Sequence, residues 1–332
     1  MKKILNAPDA YVDETLEGLC LAHPELQRRG EGGRVVVRSA GAVAGKVGIA
    51  TGGGSGHLPV FLGYVGEGLL DSCAVGNVFA GPRMDDCIDA MRAADGGAGV
   101  LQLYGNYGGD RMNFDMAAEM LELEGMEVAS VRVTDDVASA PAAQADKRRG
   151  VAGLVLVYKV TGAKAATRAP LADVAALARK ANAACRSIGV ALTPCVVPES
   201  GKASFAIGDD EIEFGMGIHG EPGIWRGPLK PADALTDEML SHLLPELDLA
   251  RGDRVAVLVN SLGATPAEEL YIVYRRVAAV LAERGVTVVR PLVGRYATSM
   301  EMTGASLSVM KLDAELEALW NAPADCPFWR VG

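Results

Sequence analysis

At 332 residues the chain is long enough for two domains of ordinary size. Its 49% hydrophobic and 22% charged residues are those of a globular protein, the net charge of −10 argues against nucleic acid or an anionic membrane as partner, and 5% aromatics leave no stacking platform for single strands. No apolar run reaches the roughly 18 residues of a membrane span, MKKILNAPDAYVDE turns acidic too early for a signal peptide, and six scattered cysteines without a C-x-x-C pair fit a reduced cytoplasm and offer neither a zinc site nor a disulfide frame.

Residues 1 to about 33 are polar with helical tendency and end in a glycine loop at Arg28 to Gly33. Arg34 to Arg38 is a short β-branched run, and Lys46 to Thr51 is the next strand. It opens into GIATGGGSGHLP, Gly48 to Pro59, the stretch around which the chain is organised. Glycines permit positive φ and close approach of a ligand, and consecutive N–H groups make a nest for anionic or hydroxyl oxygens. His57 adds a titratable ring, and a helix is expected beyond the loop. Ser72 to Phe79 reads as a strand and turn, and Asp85 to Ala94 as a short helix. Gly99 to Tyr104 is a strand that leads straight into a second unusual loop, Gly105 to Phe114, GNYGGDRMNF. Met116, Met120, Leu121 and Leu123 then suggest an amphipathic helix, and Glu127 to Val133 a strand.

Val151 to Val160 is apolar throughout, so periodicity leaves its type open. Leu171 to Ile188 reads as a helix closed by Gly189, where the domain boundary is placed: 1–189 and 190–332. Val190 to Val197 is a strand, and Glu211 to Gly223 holds a third loop, GMGIHGEPG. Arg254 to Asn260 is a buried strand. Thr265, Pro266 and Glu268 read as a capping box opening a helix that Gly285 ends, and Val286 to Pro291 returns as a strand. Strand–helix–strand units imply parallel pairs, so the class is α/β: two α/β domains with mainly parallel sheets.

Four histidines occur. His23 and His242 lie in polar helical stretches and read as solvated. His57 and His219 lie in glycine-rich loops, and with Asp110 at a strand end they are candidates for one site, since ligands of open α/β sheets bind at the carboxyl ends of strands. The Gly41 to Val47 segment lacks the spacing and the hydroxyl of a phosphate-binding loop, and His57 stands where a dinucleotide fingerprint needs glycine. The chain therefore offers no convincing nucleotide site of its own.

TGGGSGH (51–57), NYGGDRMNF (106–114), FGMGIHGEPG (214–223), LVNSLGATPAEELY (258–271) and TSMEMTGASLSVMKL (298–312) together resemble the K subunit of dihydroxyacetone kinases, in order and over nearly the whole chain. The resemblance implies a homodimer of two-domain subunits. Each would bind a short ketose and present it to a separate, nucleotide-bearing L subunit or domain that carries ATP or ADP with Mg. It implies that His219 holds the ketose carbonyl as a hemiaminal, without any metal. His57 and Asp110 would act on the hydroxyl that receives phosphate, and Gly53, Gly54, Ser55 and Gly105 would lie along the substrate. The chain departs from the family at three places. Leu58 stands for the usual Glu, Gly105 for Lys and Gly108 for Thr, which implies a pocket for a larger ketose, such as erythrulose or a branched keto sugar acid; the alternative is an unchanged pocket. A ketose sensor that controls a transcription factor, and a fatty-acid-binding protein of DegV-like fold, are the competing readings.

Overall fold

The structure, a computed structural model, describes residues 2–332. The first unit carries α1 (Tyr11–Ala22), β1 (Leu26–Arg29), β2 (Val35–Arg38), β3 (Gly48–Ser55), β4 (Ser72–Val78), α2 (Met84–Ala94), β5 (Val100–Gly105), α3 (Gly108–Leu123), β6 (Val128–Val133), α4 (Leu154–Ala166) and α5 (Leu171–Ala183). Its sheet runs β1-β2-β4-β3-β5-β6. The four strands from β4 to β6 are parallel, and β2 and β1 add an antiparallel edge. The chain leaves β3 for β4 on one side and then crosses to β5 on the other. That reversal opens a crevice at the carboxyl ends of the central strands.

The second unit carries β7 (Cys185–Thr193), β8 (Glu211–Phe214), β9 (Trp225–Pro228), α6 (Ala232–Leu243), β10 (Arg254–Ser261), α7 (Ala267–Glu283), β11 (Thr287–Val288), β12 (Leu292–Gly294), β13 (Thr303–Leu312) and α8 (Ala314–Asn321), followed by a hairpin of β14 (Ala324–Cys326) and β15 (Trp329–Val331). β10 pairs parallel with β11 and β12 across α7, as the strand–helix–strand reading requires. From β10 through β13, β7, β8 and β9 the pairing is antiparallel, so parallel pairs dominate the first sheet and are confined to one side of the second.

Successive strand residues alternate between cores, as a period of two demands. Val255, Val257 and Val259 face α6 and α7, whereas Ala256 and Leu258 join Leu101, Leu103 and α4 in a central core. Ala50, Val100 and Phe114 pack with α2 under the outer face of the first sheet. The layers are thus α2/α3, first sheet, α4/α5 with α8, second sheet, α6/α7. α4 lies in the middle layer with eleven of its thirteen residues buried, and it has no polar stripe. This is why the 151–160 segment has no legible period.

Three local expectations are corrected. The helix from Leu171 ends at Ala183, and Cys185 to Thr193 is a strand, because Cys185 through Ile188 pair with Leu307 to Met310 of β13. Gly189 therefore lies within a strand of the second sheet. Thr265 does not cap α7: its hydroxyl donates to the Gly304 carbonyl at 2.6 Å, and the N-cap position is Pro266, with no side-chain bond. No α-helix follows the first glycine loop; the chain passes through a single 3-10 turn at Leu62–Tyr64. No helix among the described residues is long and apolar enough to cross a membrane.

Candidate active site

Gly52, Gly53 and Gly54 of TGGGSGH lie inside β3 rather than beyond it, and only Gly56 follows it, in a turn at φ 99°. The strand glycines are needed for contact. A Cβ at Gly53 would stand 2.3 Å from Phe61, and one at Gly54 would stand 2.7 Å from the Ala80 amide nitrogen. Phe79, Ala80 and Gly81, which follow β4, can therefore close over the end of β3. GNYGGDRMNF is likewise less a loop than a strand end and a helix start. Gly105 ends β5, Tyr107 is the N-cap of α3 and Asp110 lies in its first turn.

A cavity of about 290 Å³ opens at the carboxyl ends of β3, β4 and β5. Gly53, Gly54, Gly105, Asp110 and His219 line it, as do Phe61, Phe79 and Tyr107. His219 comes from the second unit and the rest from the first, so the site exists only where the units meet. His57 is brought to it from behind. Its ring is 1% exposed, stacks on Phe79 at 4.9 Å and meets the His219 ring edge-on at 4.8 Å, but it forms no part of the cavity wall. Ser55 is not in the wall either; its hydroxyl donates to the Gly76 carbonyl at 2.8 Å. His23 and His242 lie elsewhere, half-buried beside Phe328 and Phe214.

Hydrogen bonds fix both imidazoles. The His57 Nδ1 lies 2.6 Å from the Thr298 carbonyl, which can only accept, so Nδ1 carries the proton and Nε2 is an acceptor. That Nε2 is buried without a partner. Burial, and next the neighbouring His219, push the His57 pKa down to about 3, so the ring is neutral near pH 7. His219 Nδ1 lies 2.9 Å from Glu221 Oε1, and Oε2 accepts the His219 backbone N–H at 2.9 Å. Burial pushes the Glu221 carboxyl up, but the hydrogen bond from His219, its charge and Arg149 outweigh it and hold the group well below the usual carboxylate range. The carboxylate can only accept, so Nδ1 carries a proton, and in the corresponding neutral tautomer the Nε2 lone pair is left for the cavity. Asp110 is raised to about 6, chiefly by burial, against its own backbone N–H and the charge of His219.

Sequence reasoning missed Phe61, Phe79, Tyr107, Thr298 and Glu221. Only Glu221 had a signal, the His-x-Glu spacing within GIHGEPG; the others become neighbours of the site through folding alone. Of the three departures, Gly105 and Gly108 line the cavity, whereas Leu58 packs half-buried against the central core. Nothing lies within 4 Å of a Cβ built at Gly108.

The Dak1 domain family model matches residues 17–328. The dihydroxyacetone-binding subunit of PTS-dependent dihydroxyacetone kinase 1 from Listeria innocua is 46% identical over 99% of this chain and 100% of its own. The L-erythrulose kinase of Pectobacterium atrosepticum is 44% identical over 100% of this chain, which spans 57% of that protein. Among solved structures, the dihydroxyacetone kinase of C. freundii superposes with a TM-score of 0.91 at 32% identity, covering 99% of this chain and 60% of that one. A dihydroxyacetone kinase operon co-activator superposes with a TM-score of 0.88 at 30% identity, covering 95% and 97%. Matched over most of its length by the family model and over its whole length by a curated relative, the chain belongs to the Dak1 domain family.

Proposed function

We propose that this chain is the ketose-binding subunit of a dihydroxyacetone-kinase-type phosphotransferase. It captures the ketose on His219, and a terminal hydroxyl is phosphorylated by a separate L subunit that carries ATP or ADP with Mg. The observation that carries the reading is His219 itself: its Nδ1 is held by Glu221 and its ring lines a cavity shared with Asp110. In the capture step the Nε2 lone pair forms a C–N bond to the carbonyl carbon, the C=O π pair moves to oxygen, and that oxygen takes a proton. The ring gives up its Nδ1 proton by way of Glu221, and it is this one proton that ends on the carbonyl oxygen through solvent, so no proton is gained overall and Glu221 ends ionised as it began. Nothing leaves, so the adduct carries the full mass of the ketose.

Asp110 then accepts the proton of the attacking hydroxyl, for which a carboxylate near 6 is well poised. His57 stands behind the wall, so its unpartnered Nε2 becomes a second acceptor for the hydroxyl only when Phe79 or His219, which lie against its ring, gives way. Gly105 and Gly108 in the wall support a ketose larger than dihydroxyacetone, and the likeness to an erythrulose kinase points the same way. We place the chain in the cytoplasm, where free thiols persist, as a homodimer.

Intact mass under mild conditions tests the capture step. Wild type incubated with dihydroxyacetone or erythrulose should gain the whole mass of the ketose, and His219→Ala should gain nothing. An adduct on the His219→Ala chain would overturn the reading. Whole-length likeness to an operon co-activator favours a second reading, a ketose sensor. A buried general base is wasted on a sensor. Phosphorylation of captured ketose with a supplied L subunit, lost in Asp110→Asn, supports the kinase; no turnover in the wild type supports the sensor.

A further inference from the structure

A second cleft, of about 690 Å³, adjoins the substrate cavity and shares Gly108 with it. It lies along edge strand β6, between the start of α3 and α5. Four exposed cations line it, Arg111, Arg132, Lys147 and Arg179, with one carboxylate, Asp146. None of the four forms an ion pair among the described residues, although the chain is acidic overall and most of its other lysines and arginines sit beside a carboxylate. Like charges gathered in a concave site repel one another unless an anion enters, and such clefts focus positive potential outward.

The neutral groups of the cleft agree with the charges. Ser130 Oγ accepts the side-chain amide of Gln102, so its hydroxyl proton is free to donate into the cleft. Thr134 Oγ1 accepts from Asn182 at 3.1 Å and is free in the same way. Gly108 opens the 16-residue helix α3, whose N-cap Tyr107 makes no side-chain bond to the first-turn N–H groups. The wall thus offers cations, hydroxyl donors and the positive end of a helix on the side of the cavity where Asp110 stands. A neutral ketose needs none of these, and a phosphate needs all of them.

We propose that this cleft is a phosphate-binding subsite that receives the polyphosphate of the phosphoryl donor and guides it to the hydroxyl beside Asp110. The proposal rests on the phosphotransferase reading for its role, but not for its chemistry. The product's phosphate ester is the other source of the same anion, and both are tested.

The full chain is titrated calorimetrically with sodium tripolyphosphate and, separately, with dihydroxyacetone phosphate, at low and at physiological ionic strength. Wild type should bind tripolyphosphate, more weakly as salt rises. Arg132→Gln/Arg179→Gln should bind about tenfold more weakly, and Arg132→Glu/Arg179→Glu should not bind. The ketose adduct and the melting temperature should be unchanged in both variants. Saturable binding of the phosphate ester alone, lost in the same variants, keeps the subsite and assigns it to product. Absence of binding by either anion, or equal binding by all three proteins, overturns the proposal. So does a wild-type dimer that the double Glu variant converts to monomer, since the cleft would then be a subunit interface. Failure of wild type to form a ketose adduct strikes the capture mechanism and leaves the cleft's own result standing.

Discussion

Glu221 and Asp110 are carboxylates of one cavity region, and their surroundings shift them in opposite directions. Glu221 is stabilised as an anion by the Nδ1–H of His219 and by Arg149, and its bond keeps a proton on Nδ1. Glu221→Ala frees the ring, so the fraction of ketose adduct at fixed ketose should fall by about tenfold while His219 remains; intact mass reads this directly. Because the folded-state value lies below the ordinary one, Glu221 is fully ionised above the usual carboxylate range and its hold on His219 fades as pH falls below it.

Asp110 is the reverse case. Its folded pKa is above the unfolded value, so its share of stability is complete below about pH 4 and is lost as pH rises through about 6. Ionising it near neutrality costs on the order of 2–3 kcal/mol. Asp110→Asn should therefore lower turnover by about 10²–10⁴-fold, leave ketose capture intact, and raise the melting temperature at pH 8 but not at pH 4. A loss of stability at pH 8 would contradict the burial argument.

At the scale of elements, the cavity exists because β3 ends in glycines that let neighbouring segments touch its backbone. Gly54→Ala places a methyl against the backbone of Ala80, which unlike a side chain cannot swing away. A loss of about 1–3 kcal/mol is expected, with ketose capture impaired as the 79–81 wall shifts. Denaturant titration and intact mass read the two effects. Gly108→Thr is the contrasting change: the new side chain enters open space at the start of α3. The melting temperature should hold, while the narrowed cavity shifts kcat/KM from erythrulose toward dihydroxyacetone. An unchanged ratio would mean that the glycine does not set pocket size.

At the scale of the whole molecule, the seam between the units is what assembles the site. The loop before β13 grips the segment after β3: Met300 N–H donates to the Gly56 carbonyl at 2.7 Å, Thr298 Oγ1 to the Leu58 carbonyl at 2.9 Å, and His57 to the Thr298 carbonyl. Farther off, buried Arg148 forms a two-point pair with Glu246 at 2.6 and 2.7 Å, and Arg186 joins at 3.0 Å. Glu246→Ala leaves Arg148 buried without its anion, so a loss of about 3 kcal/mol is expected in denaturant titration. The hydrogen bonds from Arg148, more than the one from Arg186, depress the Glu246 carboxyl. This contribution is therefore present above the ordinary carboxylate range and disappears as pH falls through it.

Strong local patterns carried what the sequence could determine alone. Alternating strand and helix segments made the α/β class legible, the helix of 267–283 stood between two parallel strands as its flanks required, and five motifs in order marked the family. His57, Asp110 and His219 were legible as chemistry-bearing residues because they interrupt glycine runs, where a side chain is an exception. Tertiary structure decided the remainder. α4, buried on every side, has no period to read, and the end of α5 was settled by pairing with a strand more than a hundred residues away. Which histidine faces the cavity, and with which nitrogen, depends on Thr298 and Glu221, and packing at the seam rather than any spacing brings them there. Local pattern encodes the exposure a segment needs, whereas a site is made of distances between segments, and only the folded chain sets those distances.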